Sequence, residues 1–295
     1  MNVLSLFDGM STLQLALKNQ GFKVENYYAS EIKPYAIKLT KYHFPNTIQL
    51  GDITKWKEWN IDWKSIDFIG SGSPCQDLSI AGKRAGIKGD RSSLFFTFVE
   101  ILNHVRQFNQ NVLFLQENVG SASKLDIGIM SRALGVYPIR INSNLLTAQN
   151  RDRYYWTNIR TKQDGMFGDI VSDIPQPEDK GIMLKDIIES GTIDKDKSNA
   201  ILQRYGYSFG YKDQLQPNAQ KFLKERTKLG MYTSIQENGF LRKLTQTELE
   251  RLQGFSDGYT SILSYNQAAS VLGDGWTLPV IEYILTFINK KNIKY

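Results

Sequence analysis

Cysteine and histidine are almost absent from this 295-residue chain, which has one Cys and two His. A lone thiol excludes an intramolecular disulfide, and Cys75 with His43 and His104 is too small a set for a Cys/His zinc cluster. No metal is therefore expected. Long apolar runs are missing as well: no segment approaches the length of a bilayer span, and the opening MNVLSLFDGM lacks the basic leader and apolar stretch of an export signal. The expectation is an unexported, cytoplasmic protein without a membrane partner. Internal repeats and long low-complexity tracts are also wanting. So is a GxGxxG fingerprint after the first apolar run, which a nucleotide-dependent dehydrogenase would carry.

What is present is a length that suits one large α/β domain with an insertion, or two modest domains. The balance of 36 Lys and Arg against 30 Asp and Glu gives a formal charge of +6 and a pI near 9.1. Excess cations favour an anionic partner such as nucleic acid, because binding phosphates releases counterions. Much of the excess is scattered lysine, as in KNQGFK, KYH, KWK and NKKNIKY, a pattern that a solvated surface also produces.

Short apolar runs at 3–7, 24–29, 66–70 and 112–115 alternate with helical patterns at 12–19, 34–43 and 92–108. That alternation predicts a parallel sheet with helices on both faces, whose ligands bind at the carboxyl ends of the strands. From about Thr161 the chain becomes rich in Asp, Lys, Gln, Gly and Pro and loses periodicity, which predicts a loop-rich insertion. Helical pattern returns at LTQTELERLQGF, where Thr245 and Glu248 form a capping box, and again at 278–289. The last apolar helix needs a partner surface, so the last fifty or so residues are expected to rejoin the first domain.

The polar residues after each run are the places to look for chemistry. In LFDGMST, Gly9 permits a tight turn with backbone N–H groups facing a ligand. Glu31, after the second run, can accept from ribose hydroxyls, and Asp52 from an adenine amino group with Ile53 against the ring. Each acid alone reads equally as a loop carboxylate or helix cap. Cys75 follows the turn GSGSP, with Ser73, Gln76, Asp77 and Ser79 as polar neighbours. A buried structural cysteine is the common fate of a free thiol, but these surroundings favour an exposed one. The glycine-rich stretch after it, with Gly82, Gly86 and Gly89, suits a loop that closes over substrate. The run NVLFLQ delivers Glu117, where desolvation favours the protonated acid and lets it donate a proton, although a helix cap is the alternative. In QNRDRYYWTN, strand alternation would aim Arg151 and Arg153 at one face, with an edge-strand salt bridge as the plainer reading.

In this order GSPCQDLS, Glu117-Asn118-Val119, Gln149-x-Arg151-x-Arg153 and RKLTQTELERLQGF resemble the C5-cytosine DNA methyltransferases, over about residues 1–160 and 240–295. FDGMST, GSPCQDLS and LGDGWTLPVI look like the animal de novo branch, and the IAGKRAG loop looks more bacterial. The resemblance implies an α/β fold: a Rossmann-like methyltransferase sheet that binds S-adenosylmethionine, at 1–160 and 241–295, with a small loop-rich target-recognition region at 161–240. It implies Cys75 as the nucleophile on cytosine carbon 6, Glu117 at ring N3, and Arg153 with Arg151 at the cytosine carbonyl and the Cys75 loop. For S-adenosylmethionine it implies Phe7, Asp8, Gly9, Met10 and Thr12 around the methionine and adenosine portions and Glu31 on ribose. Ile32, Asp52 and Ile53 would frame adenine, Pro74 and Leu94 line the cleft, and Gly275 and Trp276 return to the same pocket. S-adenosylhomocysteine is the product and no metal takes part.

The partner implied is double-stranded DNA, from which the target base must flip, and a companion restriction endonuclease if the enzyme is not an orphan, a choice the sequence leaves open. A compact form suggests a prokaryotic cell or a phage-infected host. Ser11-Thr12 and Gly273-Asp274-Gly275-Trp276 depart from the second glycine and the Gly-Asn-Ser segment of many relatives. Two rivals remain: a cytosine methyltransferase acting on transfer RNA, and an inactive, methyltransferase-like scaffold, against which retention of Cys75, Glu117, Arg151 and Arg153 argues. Target site and oligomeric state are not legible in the sequence.

Overall fold

The computed structural model describes residues 1–74, 94–165, 168–203, 205 and 213–289. Two compact units divide the chain: Met1–Ile141 with Asp152–Gln176 and Ile281–Tyr295, and Asn142–Arg151 with Pro177–Val280.

The first unit opens with β1 (Asn2–Leu6), α1 (Thr12–Asn19), β2 (Asn26–Ser30), α2 (Pro34–His43) and the short β3 (Ile48–Gln49). It continues through β4 (Ile66–Ser71), α3 (Leu94–Arg106), β5 (Leu113–Val119), α4 (Lys124–Leu134) and β6 (Ile139–Asn142). After β7 (Gln149–Asn150), which counts with the second unit, come β8 (Asp152–Thr157) and the hairpin β9 (Thr161–Asp164) and β10 (Asp169–Ser172). One seven-stranded sheet has the order β3-β2-β1-β4-β5-β8-β6. The strands from β3 to β5 run parallel, and β8 joins β5 antiparallel. The α/β sheet expected from the alternating runs is thus present, with its boundaries within a few residues of those expected.

Burial explains why these segments fold as they do. On α3 the apolar residues Phe95, Phe98, Ile101, Leu102 and Val105 recur at three- and four-residue spacing and are all buried. They join Leu4, Leu6, Ile69 and Phe114 of the sheet in one core cluster. Truncating a fully buried Phe of this kind costs about 3–5 kcal/mol, so α3 is firmly held. The strand order reverses between β1 and β4, since the chain moves from β1 out to β3 and then returns to the other side. Such a switch point opens a crevice at the carboxyl ends of those two strands. Gly9 and Pro74 follow them directly.

The second unit contains β11 (Ser198–Asn199), which pairs in parallel with β7, then α5 (Pro217–Lys228) and the hairpin β12 (Ser234–Glu237) and β13 (Phe240–Lys243). α6 (Gln246–Gln253) and α7 (Tyr265–Asp274) follow, and α8 (Leu278–Leu285) runs across the boundary between the units. The capping box is formed: Thr245 Oγ1 accepts from Glu248 N at 3.1 Å, and Glu248 Oε2 from Thr245 N at 2.8 Å. Gly254 ends α6 at φ 78°, and a Cβ there would lie 2.3 Å from Pro279 Cδ. Only glycine serves at that turn. The insertion expected to be loop-rich contains the three-turn helix α5, which buries only Ala219 and Leu223. Packing draws the unit boundaries at 176 and 280, whereas composition drew the recognition region at 161–240. Among the described residues no helix is long and apolar enough to cross a membrane.

Candidate active site

The turn after β1 is held in an unusual backbone state. Phe7, Gly9 and Ser11 all have left-handed φ, at 57°, 60° and 57°. Outside glycine this conformation costs about 1–3 kcal/mol per residue, so something must enforce it. The enforcement is a buried carboxylate. Asp8 lies beneath the turn, accepting from Tyr27 Oη at 2.8 Å and from the Ser11 hydroxyl, which in turn sits 3.0 Å from Thr40 Oγ1. Burial pushes the Asp8 carboxyl above its ordinary value of 3.8, while hydrogen bonds from Ser11, Ser5 and Tyr27 pull it back. Sequence reasoning named Asp8 but missed Tyr27 and Ser11. Strand alternation in NYYAS, which turns Tyr27 inward, was the available signal.

Glu31 bridges this turn to the end of β2. Its Oε2 accepts from Gly9 N at 2.8 Å and its Oε1 from Ile32 N and Lys33 N, both at 2.8 Å. A carboxylate offers about four acceptor sites, so three amides leave room for a hydroxyl. Together with the curled amides of the turn, this chemistry fits an adenosyl cofactor's ribose. Ile32 is 69% exposed beside it, and Ile53 is buried in the core. Asp52 is exposed and caps the short helix after it, with Oδ1 accepting from Thr54 N at 2.9 Å. The side chains of Met10 and Thr12 are packed inside, so a ligand at this turn would meet their backbone.

At the end of β4, the buried Ser73 hydroxyl accepts from Gln116 Nε2 at 2.9 Å and from Asn118 Nδ2 at 3.3 Å. These bonds fasten the backbone that leads into half-buried Pro74 to β5. Cys75 and the glycine loop with Gly82, Gly86 and Gly89 lie outside the described residues. Half-buried Leu94 begins α3 on their far side.

Glu117 emerges from β5 between the two residues that hold Ser73. Its Oε1 stands 2.7 Å from Arg153 Nε, with the side chains 10% and 16% exposed. The pairing follows from register: Glu117 faces Tyr155 and Val119 faces Arg153, which makes Glu117 and Arg153 diagonal neighbours across β5 and β8. The alternative of Glu117 as a helix cap does not hold, because Ser123 caps α4 by accepting from Asp126 N at 3.1 Å.

Arg151 goes elsewhere. It belongs to the second unit, is 4% exposed, and donates from Nη2 to the Gly275 carbonyl at 2.8 Å. Gln253 Nε2 donates to Leu272 O in the same neighbourhood, and Thr277 Oγ1 to Gln253 Oε1 at 2.7 Å, so the half-buried Gly275-Trp276 segment is tied from several sides. The expected common face of the two arginines is not found, because Arg151 occupies the break between β7 and β8, where strand alternation does not run.

Among the described residues no cluster of His, Cys, Asp and Glu could hold a metal ion. A surface hollow of about 370 Å³ on the second unit, lined by Lys185, Glu189 and Thr192 among others, contains none of the expected site residues.

Comparison with known proteins gives the family and the fold. The family model described as C-5 cytosine-specific DNA methylase matches residues 1–290. The chain is 28% identical over 312 residues to the type II methyltransferase M1.ScrFI of Lactococcus lactis subsp. cremoris, covering 96% of this chain and 76% of that protein. It is 34% identical over 175 residues to the orphan methyltransferase M.SPRI of Bacillus phage SPR, covering 54% of this chain and 38% of that one. The crystal structure of the S. pombe Dnmt2 methyltransferase superposes with a TM-score of 0.63 at 17% identity, over 99% of this chain and 100% of the other, which shows a shared fold. With the family match spanning nearly its whole length, this chain belongs to the C-5 cytosine-specific DNA methylase family.

Proposed function

We propose that the chain transfers a methyl group from S-adenosylmethionine to carbon 5 of a cytosine flipped out of a short duplex DNA site, with Cys75 as nucleophile. The observation that carries this reading is the Glu117–Arg153 pair, set beside the Ser73 anchor two residues before Cys75. Carbon 5 of cytosine is a weak nucleophile until a thiolate adds to carbon 6. In this reading Cys75 makes that bond, Glu117 holds or protonates N3 as negative charge develops, and Arg153 binds the ring carbonyl. Carbon 5 then forms its bond to the methyl carbon. A base or water removes the carbon 5 proton, the double bond returns, and Cys75 leaves as thiolate. The cofactor, when bound, supplies an electrophilic methyl on a sulfonium sulfur and departs as S-adenosylhomocysteine.

Gly9 and Glu31 are the residues best placed to hold it, with Phe7, Asp8, Met10 and Thr12 shaping the turn and Ile32, Asp52, Ile53, Pro74 and Leu94 around it. Gly275 and Trp276 are assigned to the cofactor on the family resemblance alone. Arg151, assigned with Arg153 to the cytosine by the same resemblance, acts in this proposal by holding Gly275. The region 161–240 would read the major groove, relatives from bacteria and phage support a prokaryotic or phage-infected setting, and the type II name of the Lactococcus relative supports a companion endonuclease.

The test is incubation with tritiated S-adenosylmethionine and mixed-sequence duplex DNA, with transfer RNA in parallel, followed by bisulfite sequencing. Methylcytosine in one short DNA context is the expected result. Label on transfer RNA alone would overturn the DNA reading, and label on neither would favour an inactive scaffold.

A further inference from the structure

The second unit is close to neutral by sequence, with fourteen Lys and Arg against thirteen Asp and Glu, yet its charge is unevenly placed. The segment 177–197 is net acidic, while α5 carries Lys221, Lys224, Arg226 and Lys228 against the single acid Glu225. At about 100° per residue, Lys221, Lys224 and Lys228 fall within an arc of about 60°. All three are exposed, on the side away from buried Ala219 and Leu223. Among the described residues none of the three is in an ion pair, whereas Arg226 is engaged locally, 5.1 Å over the Phe222 ring and 2.8 Å from Met231 Sδ. The helix is a fixed platform. Gln220 Nε2 donates to the carbonyls of Gln214 and Leu241 at 2.6 Å each, and Gln220 Oε1 accepts from Leu241 N at 2.9 Å.

We infer that the lysine face of α5 binds the phosphate backbone of the DNA substrate, with Lys221, Lys224 and Lys228 each on a phosphate. The inference rests on the DNA reading above and deepens it. Seven residues of helix advance about 10 Å, about three of the 3.4 Å axial steps between phosphates on one DNA strand, so three flexible lysines over this length can reach three of the phosphates it spans. Lysine is a point charge on a flexible stem, suited to phosphate and unsuited to reading base edges. This face therefore positions the duplex and leaves sequence choice to other residues. An acidic protein fits less well, because protein interfaces centre on apolar anchors and the lysine arc contains none.

The experiment is a salt titration of duplex DNA binding by the full chain, wild type against the triple variant Lys221→Gln, Lys224→Gln, Lys228→Gln. Glutamine keeps helix propensity, and an unchanged thermal midpoint confirms the fold. The slope of log K against log salt is expected to become shallower by about 2 to 3, since each phosphate contact contributes about 0.9. Cofactor affinity should stay as in wild type, and the triple Lys→Arg variant should restore the slope. An unchanged slope overturns the inference. So does an equal flattening by Lys180→Gln, Lys185→Gln, Lys195→Gln, which removes the same charge from the acidic part of the unit. Failure of the wild type to bind or methylate DNA at all would instead sink the reading on which the inference rests.

Discussion

Each unit encloses an arginine–glutamate pair, and the two pairs differ in how much of the carboxylate is already spent. In the second unit Glu248 is fully buried and accepts from Arg242 Nη1 and Nη2, from Thr245 N and from Glu189 N, at 2.8 to 2.9 Å. Every acceptor position has a protein donor, so the pair can only hold structure. Glu117 in the first unit lies at the end of a strand and meets Arg153 through one oxygen at 2.7 Å, with both side chains partly open to solvent. A carboxylate with acceptor positions left over, beside a fixed cation, can take up a nitrogen of a substrate ring. On the proposed mechanism the same residue types are scaffold in one unit and chemistry in the other, and the observed difference lies in hydrogen-bond saturation.

Three substitutions break or sharpen that contrast. Glu117→Gln should lower methyl transfer by about 10²- to 10⁴-fold while shifting the free energy of urea unfolding by about 1 kcal/mol or less. A large stability loss with intact turnover would make this pair a scaffold too. Arg242→Met should do the reverse and destabilise the protein by about 3–5 kcal/mol, because it strands a buried carboxylate. Adding Glu248→Leu should recover part of that loss, and denaturant titration reads both.

Smaller effects depend on pH. Burial lowers the Lys243 ammonium to about 8 from its ordinary 10.5. The unfolded chain holds that proton more tightly, so this residue lets stability rise between about pH 8 and 10.5, and Lys243→Met should remove the rise. At Asp8 the sign is opposite. A raised carboxyl value contributes stability that is complete below 3.8 and is lost as pH climbs through the elevated value. Unfolding free energies across acid pH should therefore show wild type gaining on Asp8→Asn as pH falls. No change in the difference would mean that the buried network does not hold Asp8 as described.

What the sequence made legible was local. The strands β1, β2, β4 and β5, the helices α1, α2 and α3 and the Thr245–Glu248 box could be read because their period, length and capping residues lie within a dozen positions of one another. α5 was missed for the same reason: its buried stripe is only Ala219 and Leu223, too narrow to register against a polar helix. At the site, Glu117 and Glu31 could be named from their places after apolar runs, but their partners could not. Ser73 meets Gln116 across 43 positions and Arg151 meets Gly275 across 124, contacts that no local pattern encodes. The misplaced expectation for Arg151 came from extending alternation through a break in the strand. Cys75 was found by composition, as the one thiol, and its setting came from the family's motif order.

The most direct test of the central claim uses a duplex in which the target cytosine carries fluorine at carbon 5. With no proton to lose after methyl transfer, the ring cannot release the attacking residue. Incubated with S-adenosylmethionine, the wild-type protein should form a denaturation-resistant adduct with this DNA, and the tryptic peptide attached to it should contain Cys75. Cys75→Ser should form none while still binding cofactor. An adduct on another residue, or methyl transfer by the Cys75→Ser protein, would contradict the account.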